Sequence, residues 1–477
     1  MRQIAAATVL MLACAARAEL PRPVGQAFVD AGVPLHSVAL VVQEVGSARP
    51  LFAHDPTRPM NPASVMKLVT TFAALELLGR DYRWKTEAYL GGPLNDGVLR
   101  GDLILKGYGD PKITIEQWQA FMAALRAKGL DRVAGDLALD RTWFKPAVHD
   151  PAEFDKEPLK PYNVGPDALL VSFNSVRFVF APNAAGDGVE MRAEPSLAEI
   201  ALGAPPGISN GDCADWRGTL GSRFINRGAT ASAAFVGSFA ASCGERDWYV
   251  ALLDHPHFVH GMFTTYFRDA GGQFAGGLKE ARAPRGLAPF ATLESPPLYD
   301  IVRDVNKLSN NVMARQIFLT LATTRHPPPA TPALAADVVQ RFLKERKIAM
   351  PGLVIENGSG LSRNERVTAG GLAQLLAAAD RSGAREEFAS SLAVAATDGT
   401  VQKRFQNGTV AGQALLKTGT LEGVKALAGY VIDAQGRRWI VVAIINHPNA
   451  VRGQAALDGL VQWVYRSAGT WDARSQR

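Results

Sequence analysis

Asn61-Pro62-Ala63-Ser64-Val65-Met66-Lys67 opens a run that continues apolar through Leu68, Val69, Phe72, Ala73, Leu75 and Leu77 and stops at Gly79. Asn61 suits a helix N-cap, Pro62 the first helical position and Gly79 the stop. The run is apolar nearly all round, so the helix is expected to be buried. Ser64 and Lys67 stand three residues apart, which puts them on one helical face with Cβ atoms about 5–6 Å apart. A serine hydroxyl is a weak nucleophile and needs a base. A lysine that is desolvated and flanked by cations gives up its proton readily enough to be that base. At about the third helical position the Ser64 N–H has no intrahelical partner and is free to meet an oxyanion. S-x-x-K occurs once in the chain, but chance supplies on the order of one match at this length. An ordinary helix with a surface Ser and Lys carries the same letters.

Two further elements lie outward from this helix. Ser309-Asn310-Asn311 stands between two helical segments, within 298–322. Its hydroxyl suits a proton relay and the Asn311 amide a substrate carbonyl. A second S-x-N, Ser172-Phe173-Asn174, sits among hydrophobic residues in a β-rich stretch and reads as structural. Lys417-Thr418-Gly419-Thr420 falls on an expected strand. There the lysine is a fixed positive charge and Thr418 a hydroxyl for a substrate carboxylate. Gly419 lets a substrate backbone come close. The Thr420 N–H is a second oxyanion donor. A β-turn with an exposed lysine is the plain alternative for this stretch. Each element alone is weak, but the three in this order are specific, because independent chance matches multiply.

The ordered set resembles the signature of penicillin-recognising serine enzymes. It is similar in particular to the D-alanyl-D-alanine carboxypeptidase/endopeptidase family, class C low-molecular-mass penicillin-binding proteins of the penicillin-binding protein 4 type, peptidase family S13. The 245-residue gap from Ser64 to Ser309 points there, because inserted domains lengthen it in that family. Supporting matches are Gly107-Tyr108-Gly109-Asp110-Pro111, Asn357-Gly358-Ser359-Gly360-Leu361-Ser362-Arg363 and Asp398-Gly399-Thr400. The resemblance implies a multi-domain α/β fold: a transpeptidase/β-lactamase-like domain with an antiparallel five-stranded sheet flanked by helices, interrupted by inserted β-rich domains. It implies Ser64 as the acylated nucleophile, Lys67 as general base and Ser309 as proton relay. Asn311 would hold the substrate amide, and Lys417 and Thr418 the terminal carboxylate. The implied partners are peptidoglycan stem peptides and β-lactam antibiotics, with no cofactor. A β-lactamase, or a non-catalytic wall-binding or assembly protein keeping the fold, are the alternatives. Three positions depart from the family pattern. Asn357 stands where Asp is usual, and Ala314-Arg315 where Ala-Glu or Ala-Asp is common. No acid near Lys160 to Asn163 could be assigned to the side-chain amine of a stem peptide.

Composition bounds the rest. The 477 residues are 47% hydrophobic and 20% charged, which excludes a disordered chain, and three cysteines exclude a disulfide scaffold. The length allows about two to four domains. The net charge of +6 comes without any long basic run, so nucleic acid is not an expected partner. Arg2, the apolar Ile4 to Ala16 and Ala16-Arg17-Ala18 read as a signal peptide over residues 1–18, hence a periplasmic protein. Cleavage before Cys14 as a lipoprotein is a rival, disfavoured by Met11. No later apolar run reaches about 18 residues, so no integral membrane segment is expected. In an oxidising compartment Cys213 and Cys243 would form one disulfide, with two free thiols as the alternative.

The expected catalytic domain is 19–84 and 284–477, the inserted domain 85–112 and 183–283, with 113–182 nested inside it. Helices are expected near 22–33, 114–129, 298–308, 334–347, 368–379, 385–393 and 453–467. Strands are expected near 37–45, 101–105, 135–139, 176–180, 248–253, 414–417, 424–432 and 439–446. His255-Pro256-His257 with His260 has metal-like spacing, but Pro256 and Phe258 suggest a loop, so no metal is assigned. The aromatic residues in 143–144, 248–249 and 262–267 read as core. Oligomeric state is not legible.

Overall fold

The run Val38–Glu44 is buried over its first five residues, and the two parities of its side chains enter different cores. Ala39 and Val41 join one hydrophobic cluster; Val38, Leu40 and Val42 join the other. The strands Val424–Ile432 and Arg438–Asn446 divide the same way: Ala426, Tyr430, Val442 and Ile444 on one face, Leu427, Val431, Ala443 and Ile445 on the other. A sheet covered on both faces explains why these strands read as continuous apolar runs rather than alternating ones. The computed structural model describes residues 20–145, 149–406 and 408–471. The expected signal peptide therefore lies outside the described residues.

The sheet is antiparallel throughout. Its order is Ala393–Val394, Ala414–Leu421, Val424–Ile432, Arg438–Asn446, Val38–Glu44, Phe52–His54. It has six strands where five were expected. The outer strands are only two and three residues long, too short to show as periodicity, and short edges of this kind resist edge-to-edge pairing. Lys67–Leu78, Asn311–Ala322 and Ala369–Asp380 pack in the core of one face. Arg22–Asp30 and Gln454–Ser467 pack on the other.

The helix that opens the motif starts later than expected. Ala63–Met66 is a 3-10 turn and the α-helix begins at Lys67. Asn61 does accept a hydrogen bond from the Ala63 N–H, at 2.9 Å, but Ala63 has φ +46°, so the chain kinks before it can coil. The helix expected over 385–393 ends at Ser390, which frees Ala393–Val394 for the sheet edge.

Between residues 85 and 294 the chain is β-rich around a core of its own. A five-stranded sheet runs Leu278–Glu280, Leu137–Asp140, Leu103–Gly107, Lys85–Leu90, Ala291–Glu294. Val176–Pro182 lies instead between Val189–Glu194 and Arg246–Val250. Residues 113–182 therefore do not share one sheet, since Leu137–Asp140 pairs with Leu103–Gly107. Cys213 and Cys243 are disulfide-bonded. The histidine segment is a helix, His255–Asp269, not a loop; Pro256 sits in its first turn, where proline is tolerated, and Asp254 caps it. Phe144, Phe263, Tyr266 and Phe267 are buried as expected, but Tyr249 is 48% exposed, because only one face of its strand meets the core.

Candidate active site

Ser64 is held by backbone pressed against backbone. Asn61 donates through its N–H to Asn446 Oδ1 (2.8 Å) and through Nδ2 to the Ser362 carbonyl (2.8 Å). A Cβ on Gly360 (φ +82°) would fall 1.9 Å from the Ala63 carbonyl oxygen; one on Gly419 would fall 2.5 Å from that of Pro62. Both glycines are required by the chain's own approach to the serine turn. For Gly419 this requirement stands beside the expected one, room for a substrate backbone. The third motif thus meets the first through backbone, whereas the second meets it through the Asn311 side chain; the S-x-N turn has Ser309 at φ +57°, just before the helix Asn311–Ala322, whose N-cap is Asn310.

The three motifs converge. Lys67 Nζ lies 3.0 Å from Ser64 Oγ, 2.6 Å from Asn311 Oδ1 and 2.5 Å from the Ser359 carbonyl oxygen. Lys417 Nζ donates to Ser309 Oγ at 2.9 Å and to the Thr418 carbonyl at 3.0 Å. Thr418 Oγ1 donates to Thr400 Oγ1 at 2.8 Å. Both lysines are fully buried. Burial, then the Lys417 and Arg315 charges, hold Lys67 well below the usual lysine range, with Glu365 opposing. Burial brings Lys417 down to about 7. Both shifts favour the neutral amine. A neutral amine has two hydrogens and one lone pair. With Asn311 Oδ1 and the Ser359 carbonyl taking the hydrogens, the lone pair is left facing the Ser64 hydroxyl, which is the geometry of a general base.

Sequence reading missed the supports of this arrangement. The Ser359 carbonyl carries no side-chain signal. Glu365 is fully buried, and its Oε1 accepts the N–H groups of Glu356, Asn357 and Gly358 at 3.0, 3.0 and 3.1 Å. That bond set fixes the loop that delivers Ser359. Asn357 Oδ1 accepts from the Ser359 N–H and Oγ, bonds an aspartate would also accept, so this departure keeps the turn. Arg315 is buried, brought down to about 10 by desolvation, and donates to the carbonyls of Val164 (2.7 Å) and Tyr162 (3.4 Å). It ties the S-x-N helix to the loop beside the cleft.

Two cavities meet at Ser64, Ser309 and Thr420. The smaller, about 270 Å³, runs past Thr418 to Arg404 and Lys425. The larger, about 1000 Å³, runs past Tyr162, Asp155 and Arg363 to the β-rich insertion. Asp155 is an acid on this wall; its carboxylate accepts from Tyr162 Oη and Asn163 Nδ2, both at 2.8 Å, and against the upward push of desolvation these bonds hold it below the usual aspartate range. The histidines of the metal-like pattern part company: His255 meets the Gly165 carbonyl, His257 meets Asp254, and His260 meets Glu199. Among the described residues no group of three His, Cys, Asp or Glu side chains is placed to hold a metal ion. None of the described helices is long and apolar enough to cross a membrane.

A cleft-lining serine paired with a buried lysine at a helix start, a second serine bonded to a second buried lysine, and an antiparallel sheet whose strand carries that lysine define a serine acyl-transfer enzyme of the penicillin-recognising class. The profile of the D-Ala-D-Ala carboxypeptidase 3 (S13) family matches residues 24–467, and the chain belongs to that family. It is 30% identical over 423 residues to a D-alanyl-D-alanine carboxypeptidase of Actinomadura, an alignment covering 86% of this chain and 77% of the relative. It is 22% identical over 427 residues to the D-alanyl-D-alanine carboxypeptidase DacB of Haemophilus influenzae, covering 86% and 85%. The crystal structure of penicillin binding protein 4 from that organism superposes with a TM-score of 0.74 at 21% identity, over 92% of this chain and 99% of that one. The chain is thus a serine-type D-Ala-D-Ala carboxypeptidase by family, as its three motifs indicated.

Proposed function

We propose that Ser64 is the acylated nucleophile and Lys67 its base in cleaving D-Ala-D-Ala termini and D,D cross-links of peptidoglycan peptides. The observation that carries this is the Lys67 amine, buried, held by that burial well below the usual lysine range and 3.0 Å from Ser64 Oγ. Ser64 Oγ adds to the penultimate D-Ala carbonyl as its proton passes to Lys67. The oxyanion meets the N–H groups of Ser64 and Thr420. Ser309, bonded to Lys417, relays a proton to the departing amine. The C–N bond breaks and leaves an ester on Ser64. Water then attacks that ester and restores the serine, so one water is consumed for each bond cleaved. Asn311 Nδ2 holds the substrate amide, while Lys417, Thr418 and the cations of the smaller cavity receive the terminal carboxylate. A β-lactam follows the same first step, but its leaving nitrogen stays tethered and the ester persists. Asp155 in the larger cavity suits the side-chain amine of a diamino acid, the group through which stems are cross-linked.

The N-terminal pattern of residues 1–18 supports a periplasmic site of action. We assign residues 19–84 and 295–477 to the catalytic unit and 85–294 to the insertion, a boundary later than the expected 283 because Ala291–Glu294 pairs with Lys85–Leu90. The test of the central claim is mass spectrometry after exposure to penicillin. One adduct is expected on the protein and none on Ser64→Ala; an adduct surviving that substitution would refute the assignment.

A further inference from the structure

The larger cavity does not end where the catalytic motifs end. Its far wall is built by the insertion, from Ile115, Ser172, Phe173, Ser175, Arg177 and Tyr249. Ser172-Phe173-Asn174, the S-x-N without a catalytic partner, is therefore not remote from the site: it faces the cleft. All three residues are in the left-handed region, at φ 45°, 52° and 49°. Each such non-glycine residue costs energy and persists only where the surroundings over-determine it, a condition met most often at ligand sites. Here the surroundings are named: Ser172 N–H donates to the Ile113 carbonyl and Asn174 Nδ2 to that of Leu253, both at 2.8 Å. The turn spends its strain on placing Phe173, which packs partly against the catalytic core. Next along the wall, Tyr249 pairs in register with Arg177 and presents its ring to the cleft, about half exposed. Arg177 is committed to Asp247 and Glu194, which leaves the Tyr249 ring as the open surface of the pair.

The direction of the substrate follows from the two cavities. The smaller one carries Thr418, Arg404 and Lys425 and suits the terminal carboxylate. The larger one therefore takes the acyl side of the scissile bond. Along a stem peptide that direction leads away from the D-Ala residues, past the diamino acid, to the amino sugar that carries the stem. A rigid aromatic ring with flanking hydroxyls, at the far end of an otherwise peptide-sized cleft, matches a pyranose: apolar C–H face on the ring, hydroxyls to polar neighbours.

We propose that Phe173, Tyr249 and the Ser172–Ser175 turn form a saccharide subsite that holds the sugar-proximal end of the stem while its D-Ala end sits at Ser64. This rests on the peptidoglycan reading above. The test is calorimetric titration of the full-length Ser64→Ala protein with two ligands, a bare stem pentapeptide and the same peptide on its disaccharide. The disaccharide ligand is expected to bind about fivefold tighter. The difference should vanish in Ser64→Ala/Tyr249→Ala and survive in Ser64→Ala/Tyr249→Trp. Equal affinities for the two ligands in the Tyr249 protein, or a preference undiminished in the alanine variant, overturn the subsite. Failure of the underlying reading shows elsewhere, as no release of D-Ala by the protein that retains Ser64.

Discussion

The buried Lys417 gives the reaction a pH limit that can be worked out in advance. Its amine titrates at about 7, because burial disfavours the charged form. Burial, then the Lys417 charge, holds Lys67 well below the usual lysine range and so favours its neutral, basic form. On the proposed roles, acylation needs Lys67 neutral and Lys417 charged. The second-order constant for acylation by a penicillin should therefore fall above pH 7. At pH 9, two units past the midpoint, about 1% of Lys417 is still protonated, a loss of roughly fifty- to a hundredfold. A bound carboxylate favours the charged amine, so the falling limb of kcat should lie at higher pH than that of kcat/KM. Lys417→Arg keeps a charge that does not titrate. Its acylation is expected to be slower, since the guanidinium does not fit where Nζ meets Ser309, but its profile should lack the falling limb. Stopped-flow acylation between pH 5 and 9.5 reads both shapes. A flat profile to pH 9, or the same falling limb in Lys417→Arg, would refute the reasoning.

Three other expectations follow from the same contacts. Gly360→Ala puts a Cβ against the Ala63 carbonyl at a positive φ, so it should lower both the melting temperature and the acylation constant, the latter by at least tenfold; normal acylation would show that the serine turn does not depend on this approach. Asp110 is buried with Oδ2 unpartnered, and its carboxyl is raised to about 7. The native state then holds a proton that the unfolded chain releases near pH 4, so this group's contribution is full below about 4 and fades as pH rises to 7, by about 4 kcal/mol at most. Asp110→Asn should flatten the pH dependence of the melting temperature between about 4 and 7, and an unchanged slope would count against it. Replacing Cys213 and Cys243 by serine opens a loop of 30 residues and should cost the insertion about 3–4 kcal/mol while penicillin acylation persists; joint loss would mean that scaffold and site are not separable.

The site was legible where function is written in side-chain types at fixed spacing. Ser64, Lys67, Ser309, Asn311, Lys417 and Thr418 carry their chemistry in their identity, and the structure brings all six to one place. What sequence could not show is support through backbone. Ser359 acts through its carbonyl, which every residue has. Glu365 acts by gathering three N–H groups from a loop seven to nine positions earlier, a relation with no period. In the fold, helices with one apolar stripe and strands buried on both faces were found within a few residues. The two- and three-residue edge strands were not, because pairing there is decided by the neighbour and not by the segment. The histidine helix was misread because Pro256 was taken as a breaker, when a proline in the first turn costs the helix no bond.

The pieces of the site share one physical device. Ser64 follows Ala63 at φ +46°, Ser309 is itself at +57°, and the loop that delivers Ser359 turns at Gly358 and Gly360, at +70° and +82°. Ser64, Ser309 and Ser359 thus each stand on or next to a residue in a conformation that local propensity does not favour. None of these turns would hold alone. They are held because the helices behind them are buried nearly all round, the Lys67–Leu78 helix over its first nine residues and Asn311–Ala322 over all but one. The same burial strips water from Lys67 and Lys417 and brings both amines down toward neutrality. Core packing and base strength are therefore one property here. A substitution that loosens the packing behind the loop that meets Lys67, such as Phe318→Ala beside Gly358, should raise the Lys67 pKa as water enters, and slow acylation most at low pH. Equal slowing at every pH would separate the two properties and undo this account.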